Sequence, residues 1–298
     1  MDEQIGINEP NTTMEEKIAK WLKQQGYPLE MSVAQHFHGA GFKVIQSDFY
    51  LDSETGTHRE IDVRAERFQR ISQSGYVLIM RVGCDIECKL SQEKPWILFT
   101  SNDRTIEQSW ISSENAVTSN IGDLILYDLD DEVQAVLPSF LDKNSKKRVA
   151  YGLTQAFTGG QDVPYKAITS AFKAAVSHAT YLDKYNVTIL SEPRKNNIYL
   201  NIVFPIVVVG GRLFETYLDD NGNLIIQETK AGILHWNGPL ANKNNPVIYL
   251  FTESVIRELA QIMNEKADRF FAHCAKVEVF NALLEAKKEL VKKSGKPE

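Results

Sequence analysis

Apolar residues recur along this chain first at helical spacing, then at strand spacing, then at helical spacing again. Thr13-Met14-Glu15-Glu16 has the form of a capping box, and Met14, Ile18, Trp21 and Leu22 repeat along one helix face. This helix is predicted to end near Gly26. Pro28 is predicted to open a second helix, stopped by Gly41. Strand-like segments follow: Phe42 to Leu51, His58 to Phe68 and Tyr76 to Leu90, with turns at Asp52 to Gly56 and Gln73-Ser74-Gly75. Pro95 to Phe99 is a short apolar run, Ser101 to Asn120 is polar, and Asp123 to Ala135 is acidic around a strand-like Leu124 to Tyr127. Lys143 to Arg148 is basic and expected to be exposed. Tyr151 to Tyr185 is predicted as helix, broken near Thr158-Gly159-Gly160, its second part running from Tyr165 to Lys184 with Ile168, Phe172, Ala175, Val176 and Ala179 on one face. Asn186 to Leu190 and Ile198 to Val209 are predicted strands. In the latter, Ile206 to Val209 is a β-branched run expected to be buried on both faces. Gly210-Gly211 predicts a turn, Asp219-Asp220-Asn221-Gly222 a hairpin leading into Leu224 to Gln227, and Val247 to Thr252 a last strand. Ser254 to Ala272 and Val277 to Lys293 carry amphipathic helical patterns.

Composition is that of a globular protein, 43% hydrophobic and 24% charged, and 298 residues can bury a large core. No apolar run is long enough to span a bilayer as a helix, so no membrane partner is expected. Met1-Asp2-Glu3-Gln4 lacks the basic-then-apolar layout of a signal peptide. Cys84, Cys88 and Cys274 form neither a disulfide framework nor a zinc spacing, and a cytoplasmic location is expected. The net charge of −6 argues against a protein that coats nucleic acid through global attraction. Local positive charge at a metal site escapes that argument.

Candidate chemistry lies in two strand segments, Arg59-Glu60-Ile61-Asp62-Val63-Arg64 and Asp85-Ile86-Glu87-Cys88-Lys89-Leu90. Strand side chains alternate, so Ile86, Cys88 and Leu90 are expected on a core face, with Glu87 and Lys89 together on the other. Ile61 and Val63 are expected to share a face, with Asp62 on the opposite one. The apolar Tyr76 to Met80 just ahead predicts a central strand, where charges are costly unless used or paired. Two carboxylates and a lysine on neighbouring strands suit a hard divalent cation beside a phosphate.

Helix, strand, turn, an Asp62 strand, then a strand with Glu87-Cys88-Lys89 resembles the PD-(D/E)xK nuclease superfamily. The resemblance is carried by Leu29 to Phe37 with Glu30, by the turn Glu54-Thr55-Gly56-Thr57, and by Asp62 and the E-x-K triplet. It covers Pro28 to about Trp96 well and the rest loosely. Ile61 stands where the motif's proline would be, a departure that leaves the carboxylate in place. The resemblance implies an α/β fold with a restriction-endonuclease-like mixed central sheet flanked by helices, an insertion and C-terminal helices. It divides the chain into a helical segment at 1–26, a nuclease-like core at 27–252 with an insertion at about 97–148, and C-terminal helices at 253–298. It also implies a metal-dependent endodeoxyribonuclease of restriction, phage defence or repair, with DNA as partner, RNA left open, and a homodimer as a plausible assembly. Mg²⁺ or Mn²⁺ would be held by Asp62, Glu87 and the backbone of Cys88. Lys89 would activate water or steady developing charge, and Glu30 would support the metal.

Three further residues are candidate substrate contacts: Lys94 for phosphate, Gln155 as a site-placing glutamine on a helix, and His58 near the Asp62 strand. Each also reads as an ordinary surface residue, and Trp96 in its apolar run reads as core. Neither a Gly-rich loop followed by Lys-Ser/Thr nor a G-x-S-x-G elbow occurs, which removes support for an ATPase or serine hydrolase. A non-catalytic nucleic-acid-binding or regulatory protein on the same fold is the alternative expectation.

Overall fold

The computed structural model describes residues 12–102, 117–119, 121, 148–158, 162–181, 183–186, 196–235 and 247–293. Helix α1 (Met14–Gln25) is capped by Thr13 and Glu16 in reciprocal hydrogen bonds and closed by Gly26 at φ 89°. Helix α2 (Tyr27–Gly39) begins at once, with Pro28 in its first turn. Three long antiparallel strands follow: β1 (Lys43–Asp52), β2 (Thr57–Gln73) and β3 (Tyr76–Phe99). Short β4 (Val117–Thr118) and β5 (Gly152–Gln155) precede α3 (Val163–Thr180) and α4 (Asp183–Asn186). β6 (Asn197–Leu218) lies parallel to β3. β7 (Leu224–Thr229), β8 (Ala231–His235) and β9 (Val247–Thr252) complete a nine-stranded mixed sheet with the main order β1-β2-β3-β6-β9-β8. A short 3₁₀ turn leads into α5 (Ile256–Cys274), followed by α6 (Val277–Lys293). None of the described helices is long and apolar enough to cross a membrane.

The core is layered. One sheet face packs Val63, Met80, Ile86 and Cys88 against Leu29, Phe37, Leu259 and Phe270 of α2 and α5. The other packs Val207, Val209 and Trp96 against Ala167, Ala171 and Phe172 of α3. β6 is buried on both faces from Ile198 to Val209, as a β-branched run flanked by parallel partners should be.

Several boundaries differ from the sequence expectation. The predicted turn at Gly210-Gly211 is uninterrupted strand. β6 follows β3 across an irregularity between Ser91 and Trp96, and a Cβ on Gly211 would lie 2.2 Å from the Ser91 carbonyl oxygen. These glycines therefore serve close backbone approach rather than reversal. Gly152 to Gln155, predicted helical, is strand β5, paired with the end of β3. Arg148, expected in an exposed basic segment, is largely buried, paired with Glu215 at 3.1 Å and stacked over Tyr217 at 3.6 Å. The predicted strands at Leu124 to Tyr127 and within Asn186 to Leu190 lie outside the described residues, apart from Asn186, which ends α4. The hairpin at Asp219 to Gly222, the last strand and the C-terminal helix Val277–Lys293 fall where the pattern places them.

Candidate active site

The β2–β3 ladder runs regularly from Gln73↔Tyr76 to Val63↔Ile86 and stops there. At the next level the Asp62 Oδ2 accepts the backbone N–H of Cys88 at 2.7 Å. The β1–β2 ladder is interrupted at the same place. Gln46 pairs with Val63 and Asp48 with Ile61, while Ser47, at φ 51°, and Asp62 between them are unpaired. Beyond this break the faces exchange. Val63 and Ala65 pack in the α2/α5 core, whereas Ile61 packs on the other side with Tyr50 and Ala174. The expectation that Ile61 and Val63 share a face is therefore corrected. The left-handed Ser47 and the missing pair turn both strands over, and the Asp62 carboxylate lies toward β3.

On β3 the alternation holds. Ile86 and Cys88 enter the core, while Glu87 and Lys89 line a cleft under α3. The Lys89 Nζ lies 2.5 Å from Glu87 Oε1 and 3.9 Å from Asp62 Oδ2. A residue in an extended strand turns its N–H and C=O toward the same neighbour, so the Cys88 carbonyl also faces the β2 side. Glu30, in the first turn of α2, is half-buried within electrostatic reach of Asp62, Lys89, Glu60 and Glu87.

Negative charge is in surplus here. Burial pushes the Asp62 carboxyl up, opposed by Lys89 and the Cys88 N–H. Burial also raises Glu87, and Asp62 adds to the effect, while Lys89 and the Ser170 hydroxyl oppose it. Glu30 is pushed up to about 7, by burial first and by the Asp62 charge next. Burial disfavours the Lys89 ammonium, but Glu87 and Asp62 outweigh it and hold the lysine above its ordinary value. Asp62 and Glu87 thus share one ammonium, with the Glu30 carboxyl in electrostatic reach.

Whether these residues suit a divalent cation can be judged from their oxygens. Glu87 Oε2 is buried without a hydrogen-bond partner among the described residues. With Asp62 and the Cys88 carbonyl it would make up hard oxygen donors of the kind Mg²⁺ or Mn²⁺ prefers. Among the described residues no three His, Cys, Asp or Glu side chains are gathered into a group that could hold a metal ion.

The cleft has a volume of about 710 Å³ and includes Tyr50, Arg59, Tyr165 and Thr169 in its lining. Its wall is fixed by Asp52, fully buried, which accepts from Arg59 at 2.8 Å and from Lys173 at 2.9 Å. Burial works against the Asp52 anion, yet Lys173, the Glu54 N–H and Arg59 hold its carboxyl well below the usual range. Lys173 also reaches Glu54 at 2.7 Å, tying α3 to the turn before β2. The Thr169 hydroxyl is buried with no hydrogen-bond partner among the described residues.

Behind the site a second charged cluster joins the same elements. The fully buried Asp85 accepts from Arg64 Nε at 2.8 Å and stands 3.2 Å from His178 Nδ1, while His178 Nε2 lies 3.4 Å from Glu66. Arg64 also pairs with Asp48.

The remaining expected contacts are not among the residues that line this cleft. Gln155 is on β5 and donates to Ser91 Oγ at 2.6 Å. Lys94 is exposed on β3, where its carbonyl accepts from Ser91 Oγ, and His58 is exposed at the start of β2. Trp96 is fully buried, as core. Tyr50, Arg59, Thr169 and Lys173 escaped the sequence reading, being spread over three elements. The polar stripe Lys166, Thr169, Ser170 and Lys173 at i, i+3, i+4 and i+7 on α3 was the available signal. Comparison of the chain with family models, with curated proteins and with solved structures gives no match.

Proposed function

We propose that this chain is a metal-dependent nuclease that hydrolyses DNA phosphodiester bonds, of the kind used in restriction, phage defence or repair. The observation that carries this reading is the position of the Lys89 ammonium between Glu87 and Asp62, at 2.5 and 3.9 Å, on the edge of an open cleft. The order α2, antiparallel β1-β2-β3, α3 and parallel β6 supports a restriction-endonuclease-like core in the PD-(D/E)xK sense.

In this reading Asp62, Glu87 and the Cys88 carbonyl would hold Mg²⁺ or Mn²⁺. The cation supplies charge neutralisation and a lowered pKa for water. Lys89, kept protonated by its two carboxylates, would stabilise negative charge developing on the phosphate. Glu30, with its raised pKa, would take up or release a proton near neutral pH at the α2 side of the site. The Cys88 N–H fixes the Asp62 rotamer, so positioning costs little reorganisation.

Incubation of the purified chain with supercoiled plasmid and Mg²⁺ or Mn²⁺ tests the proposal. Nicking is expected, with loss of at least about a hundredfold in rate in Asp62→Asn and Lys89→Met. A wild type no more active than these variants would reject it. The alternative, a non-catalytic nucleic-acid-binding protein, draws on the lack of three gathered metal-ligand side chains among the described residues. It predicts DNA retention with no dependence on divalent ions.

A further inference from the structure

We infer that the cleft holds a second phosphate subsite, in which Arg59 and Lys166 grip a backbone phosphate flanking the one that would be cut. The assignment rests on the nuclease reading for the molecule that carries this phosphate, and on the geometry of the Arg59 guanidinium for the place that receives it.

Arg59 is anchored from behind. Its Nε donates to Asp52 Oδ2 at 2.8 Å, while its side chain stays 53% exposed and lines the cleft. Asp52 is fully buried, and Lys173 holds both of its oxygens, at 3.0 and 2.9 Å. The Glu54 N–H adds a further bond at 3.0 Å, so the carboxylate is fixed independently of the arginine. Among the described residues Arg59 has no second side-chain partner. A guanidinium pinned at Nε still presents the edge of its two terminal nitrogens, and that edge matches two oxygens of one phosphate. Because the anchor orients the group beforehand, less side-chain freedom is lost on binding.

The charges left over in the cleft select an anion. Lys89 is paired with Glu87, and Lys173 with Asp52 and Glu54. Lys166 is exposed on the cleft side of α3 and has no ion pair among the described residues. Asp162, four residues before it, caps the helix by accepting the Tyr165 N–H at 3.0 Å. Glu60 is the remaining carboxylate of the lining. It stands opposite Phe49 in the β1–β2 ladder, whereas Arg59 stands opposite Tyr50, so the two lie on different faces of β2. Glu60 shares its face with Asp62, on the side where a divalent cation would be held. The cleft therefore has a carboxylate end and a cationic lip. Arg59 precedes Asp62 by three residues, about 10 Å of strand. That offset suits a neighbouring phosphate, the scissile one being answered by Lys89.

The test begins with fluorescence anisotropy of labelled duplex DNA in Ca²⁺ across a salt series, for the full chain, Arg59→Met and Lys166→Met. Arg59→Met is expected to bind about tenfold more weakly. Each variant should flatten the log–log salt slope by about 0.9, a change that a structural loss alone would not produce. Lys166→Met breaks no described ion pair and carries the test if Arg59→Met fails to fold. Cleavage in Mn²⁺ of an end-labelled fragment with randomly ethylated phosphates then locates the subsite. Ethylation should block wild type at the scissile phosphate and at one neighbour, and Arg59→Met at the scissile phosphate alone. Unchanged slopes in both variants, or one interference pattern for wild type and variant, would overturn the inference. So would variants that bind DNA as wild type does but lose inorganic pyrophosphate in titration calorimetry, which would give the lip to a free phosphate compound. Flattened slopes with no cleavage in any divalent ion would sink the hydrolytic reading and leave this subsite standing. Cleavage with slopes and interference indifferent to Arg59 and Lys166 would do the reverse.

Discussion

The Asp62 carboxylate takes the backbone N–H of Cys88 at 2.7 Å, at the level where the β2–β3 ladder would otherwise have placed its next pair. A side chain thus replaces main chain across the strand gap, and the gap becomes the edge of a charged site. One geometric fact links local backbone irregularity, at Ser47 and Asp62, to the convergence of Asp62, Glu87 and Lys89.

The surplus of carboxylate at this edge predicts a conflict between stability and function. Glu30 is held above its ordinary value, so its ionisation works against the fold as pH rises from about 4.5 to about 7. Glu30→Gln should therefore melt higher than wild type at neutral pH without divalent ions, by about 1–2 °C for each kcal/mol relieved. Mn²⁺ should raise the melting temperature of wild type more than that of the variant. Calorimetry with and without Mn²⁺ measures both.

Proton release should accompany cation binding. A carboxyl pushed up to about 7 is partly protonated at neutral pH and must ionise before it can support a cation. Mn²⁺ affinity is expected to tighten between about pH 6 and about pH 8, and Glu30→Gln to flatten that rise. Titration calorimetry in buffers of different ionisation enthalpy counts the proton directly. Equal pH dependence in wild type and variant would remove Glu30 from the site.

The buried cluster of Asp85, Arg64 and His178 should confer a bounded window of stability. Burial opposes the charged His178, yet Asp85 and Glu66 raise its pKa, so its contribution is complete below the free imidazole value and disappears as pH rises through the folded one. Burial likewise opposes the Asp85 anion, but His178 and Arg64 lower its pKa, so its contribution is lost as pH falls through the folded value. Asp85→Ala leaves Arg64 and His178 without their shared anion and should cost about 3–5 kcal/mol. His178→Gln should lose stability mainly on the acid side of the imidazole transition and little above it. Urea melts across pH check both.

Close packing of glycines makes a steric prediction. A Cβ at Gly83 would lie 2.7 Å from His178 Cε1, and one at Gly211 would lie 2.2 Å from Ser91 O. Gly83→Ala is expected to destabilise by about 1–3 kcal/mol, as overpacking does, and to disturb the His178 contacts. Gly211→Ala, opposed by backbone rather than a movable side chain, should cost more. Chemical denaturation of the two variants ranks them.

Periodicity alone located α1 to α3, α5 and α6, β1 to β3, the Asp219 hairpin, the last strand and the double-sided burial of Ile206 to Val209, because amphipathic spacing and turn chemistry are local properties. It also placed Glu87 and Lys89 on one face, since strand alternation needs no tertiary information, though that face proves largely buried at Glu87. What the sequence could not decide depended on distant partners. Gly210-Gly211 looks like a turn until β3 is seen running alongside, and Gln155 looks helical until it pairs with Trp96. Asp62 finds Cys88 only because the sheet flips at Ser47, and the cleft gathers Arg59, Thr169 and Lys173 from segments linked by nothing but the fold. Local free energy sets the elements; the site arises where long-range packing forces charges from separate elements to share one volume.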